Sequence, residues 1–184
     1  MKFLIIFNPD TPDAWSVLPD SVGLQSERPL FVPDFEDGAC ACPAVAVKLS
    51  RLGKCIERRF AGRYWQETAP AIVVMPRGTA DKIRDGVTPD VTELCFDSSI
   101  VTGTFAVHDD ISFSFDNSGT QRTVTQDKET IDKTVEQLSE LNTLKTGDII
   151  LLLSPHPFVI NENDIITADS PGRNDLHLLR TKIK

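Results

Sequence analysis

The sequence predicts an α+β fold that is mostly β, organised as a single domain over residues 1–184. Short apolar runs rich in β-branched and aromatic residues outnumber the two segments with helical spacing. The regular alternation of strands and helices that is typical of a parallel sheet is missing from the pattern. The length of 184 residues suits one domain, and the content of 40% apolar and 25% charged residues is ordinary for a globular protein.

The chain opens with five consecutive apolar residues, Phe3 to Phe7, which predict a first strand. The segment Asn8-Pro9-Asp10 ends this run, whereas the apolar core of a secretory signal needs about 7–15 residues. No apolar run approaches the roughly 20 residues of a membrane span. We therefore expect a cytoplasmic protein.

Strands also dominate the rest of the first half. Residues 8–38 contain five of the twelve prolines and predict a loop-rich segment with one extended piece at 30–32. The apolar runs 44–49 and 71–75 have the length and composition of strands. Between them, apolar side chains four residues apart predict a helix over about 56–68.

The second half adds a longer helix and several strands. In order, the pattern predicts a loop over 76–90 with one helical turn, two or three short strands within 91–115, a hairpin turn at 117–119, a helix over about 128–141, a turn at 145–148 into a strand at 149–153, and a closing strand at 176–184. Either Asp127 or Thr125 could cap the helix.

The formal net charge of −8 argues against nucleic acid and against an anionic membrane as partners. Four cysteines in a chain of this length do not form a disulfide scaffold. The glycine-rich motifs of nucleotide sites and the Gly-x-Ser-x-Gly motif of hydrolases are both missing from the sequence.

A few groups of residues could still hold a metal. Cys40 and Cys42 would share one face of a strand, but structural zinc needs four ligands and no matching pair is present. The run His108-Asp109-Asp110 and the pair Glu162 and Asp164 are compact sets of donors. Since Asp and Glu are mostly exposed, we expect both sets to be solvated turns.

Several segments, in order, carry a resemblance to a known family. They are Arg28-Pro29-Leu30-Phe31-Val32-Pro33-Asp34-Phe35, Val45-Ala46-Val47-Lys48-Leu49-Ser50-Arg51-Leu52-Gly53-Lys54, Arg59-Phe60-Ala61-Gly62-Arg63-Tyr64-Trp65, Phe96-Asp97-Ser98-Ser99 and Thr143-Leu144-Lys145-Thr146-Gly147-Asp148-Ile149-Ile150. Together they resemble the fumarylacetoacetate hydrolase family.

This resemblance implies layered, barrel-like mixed β-sheets with two main helices, and commonly a homodimer. It also implies a chemistry of hydrolysis, isomerisation or decarboxylation of β-diketo or 2-oxo acids. The family uses Mg²⁺ or Mn²⁺ held by a Glu-x-Glu pair and a later Asp. A hard dication with oxygen ligands can chelate such substrates and stabilise the enolate that develops.

The family's metal carboxylates are missing from this chain. Counted from the resembling segments, the Glu-x-Glu positions fall on Cys42 and Ala44, and the Asp position falls on Val73. A basic position of the family falls on Leu94, and a substrate-contact segment falls near Ser154. Arg77 is retained. The family's N-terminal His-x-x-Glu has no counterpart in residues 8–26.

We therefore predict a divergent member that has lost the metal and the hydrolase activity, with no catalytic residue and no cofactor. Its role would be to bind a small oxo-acid-like ligand, or a protein partner, at a former metal pocket formed by Cys42, Ala44, Val73, Arg77, Leu94 and Ser154.

Two rival hypotheses stay open. One is an active enzyme that recruits a metal through His108, Asp109, Asp110 or Cys42, or works without a metal through Arg77. The other is a thiol-based sensor that uses Cys40 and Cys42.

Overall fold

Two β-sheets with helices packed on them form the part of the chain that the computed structural model describes, residues 1–9, 14–170 and 178–184. The strands in these residues are β1 Lys2–Ile6, β2 Trp15–Pro19, β3 Gly23–Gln25, β4 Ala39–Leu49, β5 Trp65–Pro76, β6 Ile100–Thr102, β7 Ile111–Asn117, β8 Thr120–Gln126, β9 Ile149–Leu153, β10 Phe158–Ile160, β11 Ile165–Asp169 and β12 Leu179–Lys182. The helices are α1 Arg58–Ala61, α2 Arg77–Arg84 and α3 Lys128–Leu141, with 3₁₀ turns at Asp20–Val22 and Val91–Leu94. The mostly β, α+β architecture is confirmed.

The larger sheet is curled and mixed, with the strand order β2-β1-β9-β4-β5-β6-β3. The long strands β4 and β5 form its centre and pair in antiparallel register along their whole length. The other edge of β4 pairs with β9 and then with β10. The smaller sheet is antiparallel, with the order β12-β11-β7-β8.

Successive side chains of β4 point to opposite faces of the large sheet, and both faces are buried. Ala41 and Val45 point to the face that packs against Phe113 of the small sheet, which we call the Phe113 face. Cys42 and Ala44 point to the other side, which we call the Cys42 face. Burial on both sides explains why β4 and β5 read as continuous apolar runs.

Different elements cover the two faces. Helix α3 and the small sheet cover the Phe113 face, where Ile131, Val135 and Leu138 of α3 are fully buried. Helix α2 covers part of the Cys42 face with Ala80 and Ile83. Among the described residues, the small sheet packs on the Phe113 face and not on the Cys42 face.

Several predicted elements are confirmed. The hairpin turn at 117–119 joins β7 to β8, with Ser118 and Gly119 both at positive φ, as the twist of a tight hairpin requires. Helix α3 spans 128–141, and its N-cap is Asp127, whose carboxylate accepts the Thr130 N–H at 2.7 Å. The strand at 149–153 is β9. The closing strand is present as β12, while Leu176 and His177 lie outside the described residues.

The helix predicted over 56–68 is wrong in length. Only Arg58–Ala61 are helical, and Trp65 already begins β5, where it pairs with Leu49. The apolar spacing reflects a short helical turn under α3: the Ile56 N–H donates to Ser139 Oγ at 2.8 Å. Pairing of β5 with β4 in eleven residue pairs outweighs a local helical preference after Gly62.

Two further predictions leave out elements that the structure contains. Most of the described residues within 8–38 lie in loops and turns, but β2, a 3₁₀ turn and β3 also lie in this segment. β2 pairs with β1 and β3 pairs with β6, so these strands depend on partners and not on their own composition. The loop expected over 76–90 contains the two-turn helix α2.

Candidate functional site

The three predicted metal positions lie side by side on the Cys42 face. Two of them are in β4 and one is in β5. Cys42 and Val73 are direct cross-strand partners, and Ala44 follows Cys42 on the same face of β4. On its two sides, Ala44 pairs with Ala71 of β5 and with Leu153 of β9. The exposed fractions of Cys42, Ala44 and Val73 are 1%, 0% and 0%. The structure thus brings these three positions together in the interior.

Apolar groups surround these three side chains. The Cys42 Sγ lies 3.7 Å from the Met75 Sδ. Leu94 is fully buried in the same hydrophobic cluster, and Ile100 packs there as well. Leu94 therefore lies in the same large buried cluster as Cys42, Ala44 and Val73.

Ser154 lies at the edge of this group. Its backbone N–H donates to the Pro43 carbonyl at 2.9 Å, just after β9 leaves β4. Its hydroxyl oxygen accepts the backbone N–H of His156 at 3.3 Å. The hydroxyl of Ser154 thus holds the turn between β9 and β10.

Arg77 lies at the rim. It is exposed at the start of α2, and its backbone N–H donates to the Gly38 carbonyl at 2.9 Å. Its guanidinium lies next to Cys40, which faces the same side as Cys42. Burial raises the pKa of the Cys40 thiol, and the guanidinium of Arg77 partly opposes this increase.

The Cys42 thiol stays protonated in the fold. Burial raises its pKa far above the usual value, and the neighbouring Cys40 adds to the increase. Because the thiolate is the nucleophile and the metal ligand, a buried neutral thiol has little reactivity. This finding gives no support to the hypothesis of a thiol sensor at Cys40 and Cys42.

The donor set at these positions does not fit Mg²⁺ or Mn²⁺. Such hard cations bind oxygen ligands, above all carboxylates. The side chains of Cys42, Ala44 and Val73 offer no oxygen, and Leu94 adds only an apolar side chain. Across residues 1–9, 14–170 and 178–184, no group of three or more His, Cys, Asp or Glu residues is arranged to hold a metal.

The other predicted donors lie elsewhere. The His108 ring packs edge-on against Phe113 with centroids 5.1 Å apart, and its Nδ1 lies 3.4 Å from the Ser170 Oγ. His108 therefore belongs to the Phe113 side of the molecule, and Asp109 and Asp110 follow it in the same loop.

In the second acidic pair, Glu162 and Asp164, the Asp164 side chain stabilises a turn. This carboxylate accepts the Asn161 N–H at 3.0 Å and contacts Asn117 at 3.3 Å, so it orders the turn before β11.

A cavity that the sequence analysis did not predict opens at the other end of β4. Its volume is about 780 Å³, and its wall includes Phe3 of β1, Lys48 of β4 and Ile149 of β9. Lys48 is the only charged residue of β4 and lies in the same row as Cys42 and Ala44. In the sequence, the charge of Lys48 within an apolar strand is the one feature that indicates this cavity.

The architecture is that of the fumarylacetoacetate hydrolase fold. Solved structures with this fold include a protein named as a fumarylacetoacetate hydrolase family member from Yersinia pestis CO92. It is 16% identical with a TM-score of 0.80, over 100% of this chain and 92% of the other.

Two enzymes are similarly close. Fumarylpyruvate hydrolase from Pseudomonas aeruginosa, in complex with Mn²⁺ and pyruvate, is 14% identical with a TM-score of 0.80, over 100% of this chain and 89% of the other. The 2-hydroxyhepta-2,4-diene-1,7-dioate isomerase from Mycobacterium marinum is 18% identical with a TM-score of 0.79, over 99% of this chain and 73% of the other. No family model and no curated protein matches the chain by sequence.

Proposed function

We propose that this chain is a divergent fumarylacetoacetate hydrolase family protein that works without a divalent metal and without the family's C–C hydrolase activity. Its role would be to bind a small oxo-acid-like ligand in the cytoplasm, or to interact with a protein partner. One observation carries the proposal: Cys42, Ala44 and Val73 adjoin in a fully buried apolar cluster at the positions that resemble the metal carboxylates.

The chemistry of these replacements supports the proposal. A carboxylate left in such a cluster without a cation would cost several kcal/mol to bury. Neutral side chains at all three positions avoid this cost together. Leu94 in place of a basic residue follows the same logic, because a cation there would also be buried without a partner.

Metal content and turnover together test the proposal. Purified protein should contain well below one Mg²⁺ or Mn²⁺ per chain by elemental analysis. With either ion added, it should not cleave fumarylpyruvate above the rate of a heat-denatured control. A stoichiometric, tightly bound dication, or metal-dependent turnover, would overturn the proposal.

An active hydrolase or isomerase is the alternative function. Two observations favour it: the fold likeness to enzymes of both classes, and the exposed guanidinium of Arg77 at the rim of the cluster. Such an enzyme would have to act without the three carboxylates. Turnover that survives a chelator and is lost in Arg77→Gln would establish this alternative.

We also propose a homodimer, as the resemblance implies. Light scattering on the eluting protein should give twice the chain mass of 20.3 kDa. A mass of one chain at working concentration would contradict it.

The described helices include none long and apolar enough to cross a bilayer.

A further inference from the structure

We propose that the cavity at the Lys48 end of β4 is a binding site for a small aromatic monocarboxylate. This inference rests on the proposed ligand-binding function and locates it away from the former metal positions. Four features support it: the contrast between the two ends of the sheet, the charge of the cavity, its apolar wall and its size.

The two ends of the Cys42 face differ in how they are covered. At the Cys40 end, α2 inserts Ala80 and Ile83 over the sheet. The Thr79 hydroxyl hydrogen-bonds the Glu93 carboxylate, and Lys82 lies 3.1 Å from the same group, which fastens α2 to the following 3₁₀ turn. At the Lys48 end the cavity of about 780 Å³ stays open. A ligand can reach this end without displacing a packed element.

Among the described residues that line the cavity, two have cationic side chains, Arg28 and Lys48, in a chain of net charge −8. The Arg28 guanidinium is exposed and forms no ion pair or hydrogen bond with any residue in the described part of the chain. The Lys48 ammonium pairs with Glu67 at 3.0 Å, which uses one of its three donors. The acidic residue in the wall, Glu27, lies 3.8 Å from Arg180. An anion would therefore find one free guanidinium and a partly satisfied ammonium.

The rest of the wall suits an aromatic body. The half-buried ring of Phe105 lines the cavity, and the side chains of Phe3 and Ile149, which are 1% and 5% exposed, form the closed part of its wall. The Lys48 Nζ already lies 5.5 Å from the centroid of the Phe105 ring, so a cation and an aromatic face occur together. A flat ring can pack on such a surface while its carboxylate meets the cations. A volume of this size accommodates small organic ligands.

Close packing keeps the Phe3 side of the wall in place. A Cβ added at Gly23 would lie 2.7 Å from the Phe3 ring, so the backbone of β3 and the ring are in direct contact. The strands β1 and β3 on the two sides of this contact belong to the same sheet. This part of the wall is thus packed before a ligand binds, which lowers the cost of binding.

Calorimetry with 2-naphthoate as the probe tests the inference, and 2-naphthamide serves as its neutral match. We expect one 2-naphthoate per chain, with the amide bound at least about tenfold more weakly because it lacks the charge-assisted contact. The backbone amide resonances of Gly23, Gly103 and Gly147, which border the cavity, should shift on titration.

Two variants of Arg28 separate charge from fold. Arg28→Gln should weaken 2-naphthoate about tenfold, while Arg28→Lys should stay close to wild type. Arg84→Gln, an equal loss of charge on α2 at the other end, should leave the affinity unchanged. Each variant is first checked for an unaltered unfolding midpoint.

Some results would overturn the inference. They are equal affinity for the acid and the amide, equal weakening in Arg28→Gln and Arg84→Gln, or resonance shifts that avoid the three glycines. Failure here leaves the metal and turnover assays untouched, so a metal-free protein that does not bind 2-naphthoate at this cavity would reject this site alone. Metal-dependent turnover together with 2-naphthoate binding would reject the proposed function and keep the site.

Discussion

Position 44 of β4 lies in a fully buried and uncharged environment. Ala44 is fully buried between Ala71 and Leu153, its partners on the two neighbouring strands. The nearest members of its row, Cys42 and Ala46, are buried and uncharged as well. A carboxylate at this position would lie in an apolar interior without a hydrogen-bond donor directed at it.

We expect Ala44→Glu to destabilise the protein by about 3–5 kcal/mol at neutral pH, because it buries an uncompensated charge. Ala44→Gln is the matched variant of equal size, and it should be destabilised less. Burial raises the pKa of the new carboxyl above its value of about 4.3 in the unfolded chain. The charge penalty is therefore present at neutral pH, and it vanishes below about pH 4.3, where the carboxyl is protonated in both states. Denaturant unfolding of both variants measures the difference.

The difference between the two variants should therefore shrink to about zero near pH 4. If Ala44→Glu is as stable as Ala44→Gln at neutral pH, a cation or donor must compensate the carboxylate. The description of a dry apolar cluster would then be wrong.

The Cys42 thiol makes stability depend on pH in the alkaline range. Its pKa in the fold is raised by burial from an ordinary value of 9.0. Below this value the thiol is neutral in both states. Above it the unfolded chain loses the proton and the folded chain does not, so stability falls as pH rises, by at most about 1.4 kcal/mol per pH unit.

Comparison of variants checks this dependence. Wild-type protein should lose stability above about pH 9 more steeply than Cys42→Ala, in which the group is absent. Cys95→Ala removes an exposed thiol and should keep the wild-type slope. Equal slopes for wild type and Cys42→Ala would show that the Cys42 thiol ionises freely in the fold.

Among the elements, those that depend on local signals are the ones the sequence predicts. Helix α3 has a side-chain cap and an apolar stripe within its own residues, and the hairpin turn has its two residues of positive φ. By contrast, β2 and β3 depend on pairing with β1 and β6, which no local pattern reports. The register of β4 with β5 likewise ends the helical spacing at Trp65.

The cap of α3 gives a prediction at this scale. The Asp127 carboxylate accepts the Thr130 N–H at 2.7 Å and the Thr130 hydroxyl at 3.1 Å. Asp127→Ala leaves these donors without a side-chain partner and should cost about 1 kcal/mol of unfolding free energy, whereas Asp127→Asn should cost less. Chemical denaturation measures both. A loss in Asp127→Asn equal to that in Asp127→Ala would mean that the acceptor oxygen does not stabilise the helix.

The two candidate sites also differ in how far the sequence predicts them. The positions of Cys42, Ala44 and Val73 follow from a resemblance along two adjacent strands, and one alternation of side chains brings them together. The cavity cannot be predicted in this manner, because its wall comes from segments near residues 1–3, 23–28, 102–105 and 147–149. Only the pairing of the whole sheet places these segments around Lys48.

At the scale of the molecule, the fold separates a closed end from an open one. The closed end of the Cys42 face contains the two thiols of Cys40 and Cys42 and aliphatic groups beneath α2. The open end contains the charged residues and the cavity. A ligand surface at the open end therefore does not depend on the chemistry of the closed end, since function belongs to sites and not to folds.

The stability of the whole protein should therefore be indifferent to the dication. A ligand that binds only the folded state stabilises it by about 2.7 kcal/mol at a concentration of 100 times its Kd, and each kcal/mol moves the Tm of a chain this long by about 2–4 °C. Because the side chains of Cys42, Ala44 and Val73 supply no oxygen ligands, Mg²⁺ or Mn²⁺ should move the Tm no more than sodium chloride of equal ionic strength. Thermal melts measure this. A saturable rise in Tm with Mn²⁺ alone would reveal a specific metal site in the folded chain.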